Sequence, residues 1–270
     1  MINFEFYQWI RANWIKLTIV SIIIFLAALF AKNQVYMFMN LSELIPDGAI
    51  LTVVDYLFGM LNAPQFFMFF IFPVLFSLLT SDLIVADINN NFISYILPRY
   101  SNRKDYLITK YKLIVFLAIL FTFMTIGISI ITWIIIGVPV RGEIYHYIFL
   151  EAEYNDRSIF IISFNIILRF IIGLIMIGFI SVFFSILFNR IVAVGFIVIL
   201  GYLHNAFYVT TSLGIITLPF TQYIYGLQYM YSPFGIPIHF FNSLYSITYM
   251  IIMIIVIGIF TLNSFKKLEL

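Results

Sequence analysis

Residues 87–112 read DINNNFISYILPRYSNRKDYLITKYK and hold five of the fourteen lysines and arginines of the chain. Two very apolar runs flank them, residues 63–84 and 113–138. Each run is long enough for a helix across a hydrocarbon layer, which needs ~20 apolar residues. The charged stretch therefore reads as a connection at a membrane surface. The fold follows by extending this alternation in both directions.

Composition agrees. The 270 residues are 63% hydrophobic and only 10% charged, with mean hydropathy +1.09. A soluble domain carries about 25% charged residues. A chain so poor in charge has too little polar surface to coat a globule, so its outside faces the lipid bilayer. The net charge of +2 gives no basis for a nucleic-acid partner, and the absence of cysteine excludes disulfide and thiolate chemistry. The N-terminal residues MINFEFYQWIRANWIK carry no small-residue cleavage site beside the first apolar run, which therefore reads as a retained span. Heavy use of Ile, Phe, Asn and Tyr suits an AT-rich bacterial genome, so the bacterial plasma membrane is the expected location.

Six spans result, at residues 17–31, 63–84, 113–138, 159–187, 191–209 and 244–265. Residues 1–13 alternate aromatic and polar side chains, which suits an interfacial helix, the alternative being an N-terminal extension of the first span. Residues 50–61 are apolar but too short to span and include Asp55, so an external amphipathic helix is expected there. Pro73, in the middle of the second span, predicts a kink because it removes a backbone donor. Residues 210–242 are broken by Gly214, Pro219, Gly226, Pro233, Gly235 and Pro237. Lipid does not tolerate exposed irregular backbone, so broken helices that re-enter the membrane edge or pack on protein are expected there, the alternative being a loop on the outer surface. The fold class is an all-α integral membrane protein, residues 1–270 forming a single transmembrane domain.

Basic residues orient it. With both termini inside, the inner segments hold Arg11, Lys16, Arg99, Arg103, Lys104, Lys110, Lys112, Arg190, Lys266 and Lys267. The outer ones hold Lys32, Arg141 and Arg157. The positive-inside rule then places residues 87–112 in the cytoplasm.

Within that stretch Phe92, Ile93, Ile96 and Leu97 share one face of a short helix. Pro98 ends the helix, because the residue before a proline avoids the helical region. Ser101 is placed to cap the helix that continues into the third span. Basic residues meeting anionic lipid account for part of the charge. They do not account for an apolar patch closed by a proline.

No catalytic constellation is present. The chain has no G-x-x-x-x-G-K-[ST] phosphate loop, no H-E-x-x-H and no G-x-S-x-G, and His146, His204 and His239 are far apart. No cofactor or metal is expected in this chain. Arg169 lies about ten residues into the fourth span, with Asn165 one turn earlier. A buried arginine in a span costs at least ~2.5 kcal/mol on insertion scales. It therefore lines a transport path or a subunit interface, or else snorkels outward. His204 and Asn205 form a second polar spot in the fifth span, either lining the path or bonding a neighbouring helix.

The pattern Asp87-x-x-x-Asn91-Phe92, Tyr95-Ile96-Leu97-Pro98-Arg99, Ser101-x-Arg103-Lys104-Asp105-Tyr106 and Lys110 resembles the cytoplasmic loop of ABC-2-type transporter permeases. The departure is at Asn91-Phe92, where that family more often has glycine and a small hydroxyl residue. The resemblance implies the transmembrane subunit of an exporter that pairs with a second permease subunit, identical or different. It also implies a separate ABC ATPase subunit that docks on a coupling helix between spans two and three, at Asp87, Phe92, Ile93, Ile96, Leu97, Arg99 and Arg103. ATP hydrolysis is then expected on the partner chain, so this chain is not itself an enzyme. The expected substrate is amphipathic: a peptide, an antibiotic or a lipid-like molecule. The alternative is a membrane immunity or sensor protein that binds a toxic peptide at its acidic loop 141–157 and needs no motor.

Overall fold

The structure, a computed structural model, describes residues 2–40, 50–62, 64–90, 93–100, 102–142, 159–210, 217–224 and 242–267. All regular elements among these are helical. Six helices are long and apolar enough to cross a membrane: Phe6–Gln34, Phe67–Asn89, Arg103–Ile135, Phe160–Leu187, Arg190–Phe207 and Ser243–Lys267. Large apolar side chains cover their outer faces, among them Ile19, Ile22, Phe123, Ile199, Ile255 and Phe260. So much exposed apolar surface on several helices fits a multi-pass membrane protein, whose outer solvent is hydrocarbon.

The first helix, α1 (Ile2–Asn40), is continuous apart from non-helical backbone at Asn13 (φ −117°, ψ 18°). The Asn13 amide Nδ2 donates to the Trp9 carbonyl at 3.0 Å. The expected boundary between an interfacial helix and the first span therefore appears as a kink inside one helix. Residues before the kink pack on protein, with the Phe6 ring 4.0 Å from that of Phe116.

The next helix, α2 (Val53–Asn62), opens with a reciprocal cap. The Asp55 carboxylate accepts from the Thr52 N–H at 2.8 Å and its hydroxyl at 2.6 Å, and the Asp55 N–H donates back to Thr52 Oγ1. Residues 50–61 were expected to form an external amphipathic helix. That expectation fails on burial: Val53, Asp55, Tyr56, Phe58, Gly59, Met60, Leu61 and Asn62 are all buried, so there is no wet face. The helix lies against α1 and α6 (Arg103–Ile135). Its N-terminus is held by the Val53 N–H donating to the Pro139 carbonyl at 3.1 Å.

The second span is built in three pieces: a π-helix (Pro64–Ile71), α3 (Phe72–Thr80) and α4 (Asp82–Asn89). Pro73 sits in the first turn of α3, where a missing N–H is tolerated. The expected proline irregularity is thus a change from π to α register. This span is the centre of the bundle. Of its apolar window 72% is buried, against 17% for the last span, which therefore lies at the periphery.

Past residues 93–100, α6 begins ten residues before the apolar run. Its N-cap is Asn102, whose Oδ1 accepts from the Asp105 N–H at 2.8 Å. Ser101, the expected cap, lies outside the described residues. At the other end Gly137 (φ +81°) closes the helix, with Val138 N–H donating to Trp133 O at 2.9 Å and Gly137 N–H to Ile134 O at 3.1 Å. That pairing is the Schellman arrangement, and its left-handed residue favours glycine. The Trp133 indole ties α6 to α1 through the Ala28 carbonyl at 2.9 Å.

The remaining spans are α7 (Ile159–Leu187), α8 (Arg190–Thr210) and α9 (Ser243–Lys267). Asn189 caps α8 by accepting from the Val192 N–H, and Asn242 caps α9 by accepting from the Tyr245 N–H, both at 2.9 Å. The α7 helix packs on α3, α6, α8 and α9. The Ser77 and Ser181 hydroxyls bond at 2.8 Å between α3 and α7, a polar link inside an apolar core. Between α8 and α9 a 3-10 turn (Pro219–Thr221) is described, and Phe220 to Ile224 are buried. Residues 211–216 and 225–241, most of the expected re-entrant region, lie outside the described residues, as do residues 143–158 of the acidic loop.

Candidate functional site

Five of the basic residues assigned to inner segments, Lys16, Arg103, Lys110, Arg190 and Lys266, meet at one end of the bundle. Asp82 is ion-paired with Lys16 of α1 and, at 3.6 Å, with Arg190 of α8. One carboxylate thus joins the ends of three spans. Asp87, a turn further along α4, accepts from Lys110 Nζ at 2.9 Å and from the Tyr106 hydroxyl at 2.7 Å. Lys110 also stands over the Tyr106 ring, 5.2 Å from its centroid. Tyr106 is fully buried and stacks on Phe265 of α9, with ring centroids 5.6 Å apart. Arg103 donates from Nη1 to the Lys266 carbonyl at 3.3 Å. A cation on the last turn of a helix is favoured, because carbonyls there lack intrahelical partners.

The predicted coupling segment hangs from this cluster. It comprises α5 (Ile93–Ile96) and a 3-10 turn (Leu97–Arg99), so α-helix ends before Pro98 as expected. Tyr100 closes it, its N–H donating to Leu97 O at 3.0 Å and its ring meeting Tyr106 edge-on at 5.6 Å. The apolar face is turned towards the bundle where it is described. Ile93 is buried, and Leu97 is half-buried against the same core. Phe92 and the Ile96 side chain lie outside the described residues. The exposed side instead presents Tyr95, at 73% exposure, with Pro98 and Arg99. Apolar groups at a bundle end gain more by packing on their own core than by facing water, which accounts for the inward turn.

The second candidate group sits deep in the bundle. Arg169 is fully buried on α7 and does not reach outward. The next residue, Phe170, meets Phe72 edge-on at 5.3 Å and lies 6.3 Å from the Tyr223 ring. Asn165 is half-buried and donates to the Ile161 carbonyl of its own helix at 2.9 Å. His204 is buried on α8 between Phe69 and Phe220, with ring centroids 5.8 and 4.5 Å away. Its Nε2 accepts from the Phe220 N–H at 3.0 Å, so the proton sits on Nδ1 and is donated to the Leu200 carbonyl. Asn205 is half-buried, and its Oδ1 has no hydrogen-bond partner among the described residues.

A buried aromatic chain therefore runs from His204 through Phe220 and Tyr223 to Phe170, the residue that follows Arg169 on α7. Sequence reasoning missed Tyr223, whose hydroxyl donates to the Met68 carbonyl in the π-helix. It also missed Tyr106 as an organising residue. Both are aromatics among many, and neither stands in a recognisable motif. Among the described residues no three His, Cys, Asp or Glu side chains form a group able to hold a metal ion. Comparison with protein-family models, with curated proteins and with solved structures yields no match to this chain.

Proposed function

We propose that the chain is the transmembrane permease subunit of an ATP-driven exporter, with its basic end in the cytoplasm and a separate ATPase docking there. The observation that carries this reading is the anchoring of an exposed segment to several spans at once. Residues 93–100 project Tyr95, Pro98 and Arg99 outward. Behind them, Asp87, Tyr106 and Lys110 bind α4 to α6, and Tyr106 and Arg103 bind α6 to α9. A push on such a segment is delivered to spans two, three and six together. A freely hanging topology anchor needs none of these contacts.

The resemblance of residues 87–110 to the permease loop supports the same reading, and so does the lack of a phosphate-binding loop in this chain. The spans carry few charges, which suits an amphipathic substrate better than an ionic one. The test is co-purification from solubilised membranes, followed by reconstitution. An ATPase subunit with a phosphate loop should accompany the chain. Tyr95→Asp combined with Arg99→Glu should leave the chain inserted but abolish substrate-stimulated hydrolysis. If no such ATPase accompanies the chain, or if the double variant couples normally, the reading fails.

A further inference from the structure

In a π ladder each carbonyl pairs with the N–H five residues ahead. The π-helix of span two ends at Ile71. The next carbonyl in that ladder, Met68 O, would pair with residue 73, which is proline and has no N–H. The Tyr223 hydroxyl donates to that same carbonyl. Tyr223 is held in place from two sides. A Cβ added at Gly173 of α7 would overlap the Tyr223 Cβ and Cγ, so the helix and the tyrosine touch without a side chain between them. The turn that carries Tyr223 is in turn fixed to α8 by the Phe220 N–H bond to His204. Were span two to adopt α register at this point, the carbonyl left without its N–H would be Phe69 O, four residues before Pro73. Phe69 O packs against the bare Cα of Gly201, where a Cβ would overlap it.

We propose that Tyr223 is a latch that selects the π register of span two, and that its withdrawal lets the span rewind to α register. The hydroxyl satisfies the acceptor that Pro73 orphans in one register and not the acceptor it orphans in the other. Rewinding by one residue turns α3 and α4 by about 100° relative to the start of the span, which moves a side-chain tip by up to about 8 Å. Because α4 leads directly into residues 93–99, the turn between spans five and six and the exposed segment at the basic end share one mechanical element. The consequence for export rests on the reading above, whereas the latch does not.

The experiment needs neither ATPase nor substrate. The chain has no cysteine, so Leu78→Cys on α3 and Tyr202→Cys on α8, both exposed, take spin labels selectively. Pulsed electron–electron distance measurement on the purified full chain should give one distance with Tyr223 in place. Tyr223→Phe, which removes only the hydroxyl, should add a second distance. Pro73→Ala added to Tyr223→Phe restores an N–H that either register can use and removes the latch, so the more favourable α register should hold most of the population, at that same second distance. A single unchanged distance in Tyr223→Phe overturns the latch. So does a second distance that differs from the one in the double variant, since that would be local loosening. If Tyr223→Phe cannot be purified in folded form, the double variant decides, and an unchanged distance there overturns the proposal.

Discussion

Asp87 offers the sharpest quantitative prediction, because two donors converge on one largely buried carboxylate. Its side chain is 19% exposed and that of Lys110 is 10% exposed. An exposed ion pair contributes about 0–1 kcal/mol. Removing one partner of a fully buried pair costs about 3–5 kcal/mol. The Asp87–Lys110 pair lies between these limits, so Asp87→Ala should cost about 2–3 kcal/mol, including the loss of the Tyr106 hydroxyl bond. Asp87→Asn keeps an acceptor for Tyr106 and should cost about 1 kcal/mol less, in line with the net contribution of one hydrogen bond. Lys110→Met keeps the aliphatic stem over Tyr106 while removing the charge. If the three side chains act as one unit, Asp87→Ala and Lys110→Met are not additive, and the double variant is more stable than their sum by at least about 1 kcal/mol. A loss of 2 kcal/mol corresponds to a melting temperature about 4–8 °C lower on the scale of soluble chains somewhat smaller than this one. Thermal unfolding of the five purified proteins (the unsubstituted chain, the three single variants and the double variant) in one detergent, followed by the folded fraction after heating, measures all the terms. Additive losses would show that the contacts at 2.9 and 2.7 Å do not work together, and would remove the anchoring argument for the proposed coupling role of residues 93–100.

Two further predictions concern backbone and packing. Gly173→Ala should destabilise by about 1–3 kcal/mol through overpacking against Tyr223. Gly127→Ala, with open space around its Cβ, should be neutral or stabilise by up to about 1 kcal/mol, and the same melting assay separates the two. At the ends of α6, Asn102→Ala should cost about 1 kcal/mol through the lost cap, and Gly137→Ala about 1–2 kcal/mol through left-handed backbone. Hydrogen exchange localised to the first and last turns of α6 reads each effect where it arises.

The span boundaries show where sequence reading is strong. The fourth span was expected at residues 159–187 and is α7, Ile159–Leu187. The third apolar run was expected at residues 113–138, inside a helix that begins just after residue 101, and α6 starts at Arg103 with Asn102 as its cap. Hydropathy stops at the first lysines, whereas backbone hydrogen bonding is indifferent to them and runs on to the Asn102 cap. The grouping of Lys16, Lys110, Arg103, Arg190 and Lys266 at one end of the bundle was legible from charge counting alone. Their carboxylate partners were not, since Asp82 and Asp87 find lysines 66 residues before and 23 residues after them in the chain.

Similar limits apply at the two candidate sites. An apolar face at Phe92, Ile93, Ile96 and Leu97 is visible as spacing, but spacing does not say whether that face turns to a partner or to the protein's own core. The structure turns Ile93 and Leu97 inward and leaves Tyr95, Pro98 and Arg99 outside. Arg169 and His204 stand out in sequence because charge and imidazole are rare in spans. Tyr223 does not stand out, because one tyrosine among eighteen carries no signal until its hydroxyl is seen against a carbonyl.

What the sequence determined by itself is the membrane character, the positions of the spans and the end at which basic residues gather. These are sums of local properties over about twenty residues, and neighbours in space hardly alter them. The tertiary structure alone decided that α2 is buried, that residues 93–100 turn Tyr95, Pro98 and Arg99 outward, and that Tyr223 meets Met68. Those outcomes depend on which backbone carbonyl is left without an N–H, and on which distant side chain can reach it. Pro73 announces that a carbonyl in span two is left without a partner, and only the packed bundle supplies the hydroxyl that answers it.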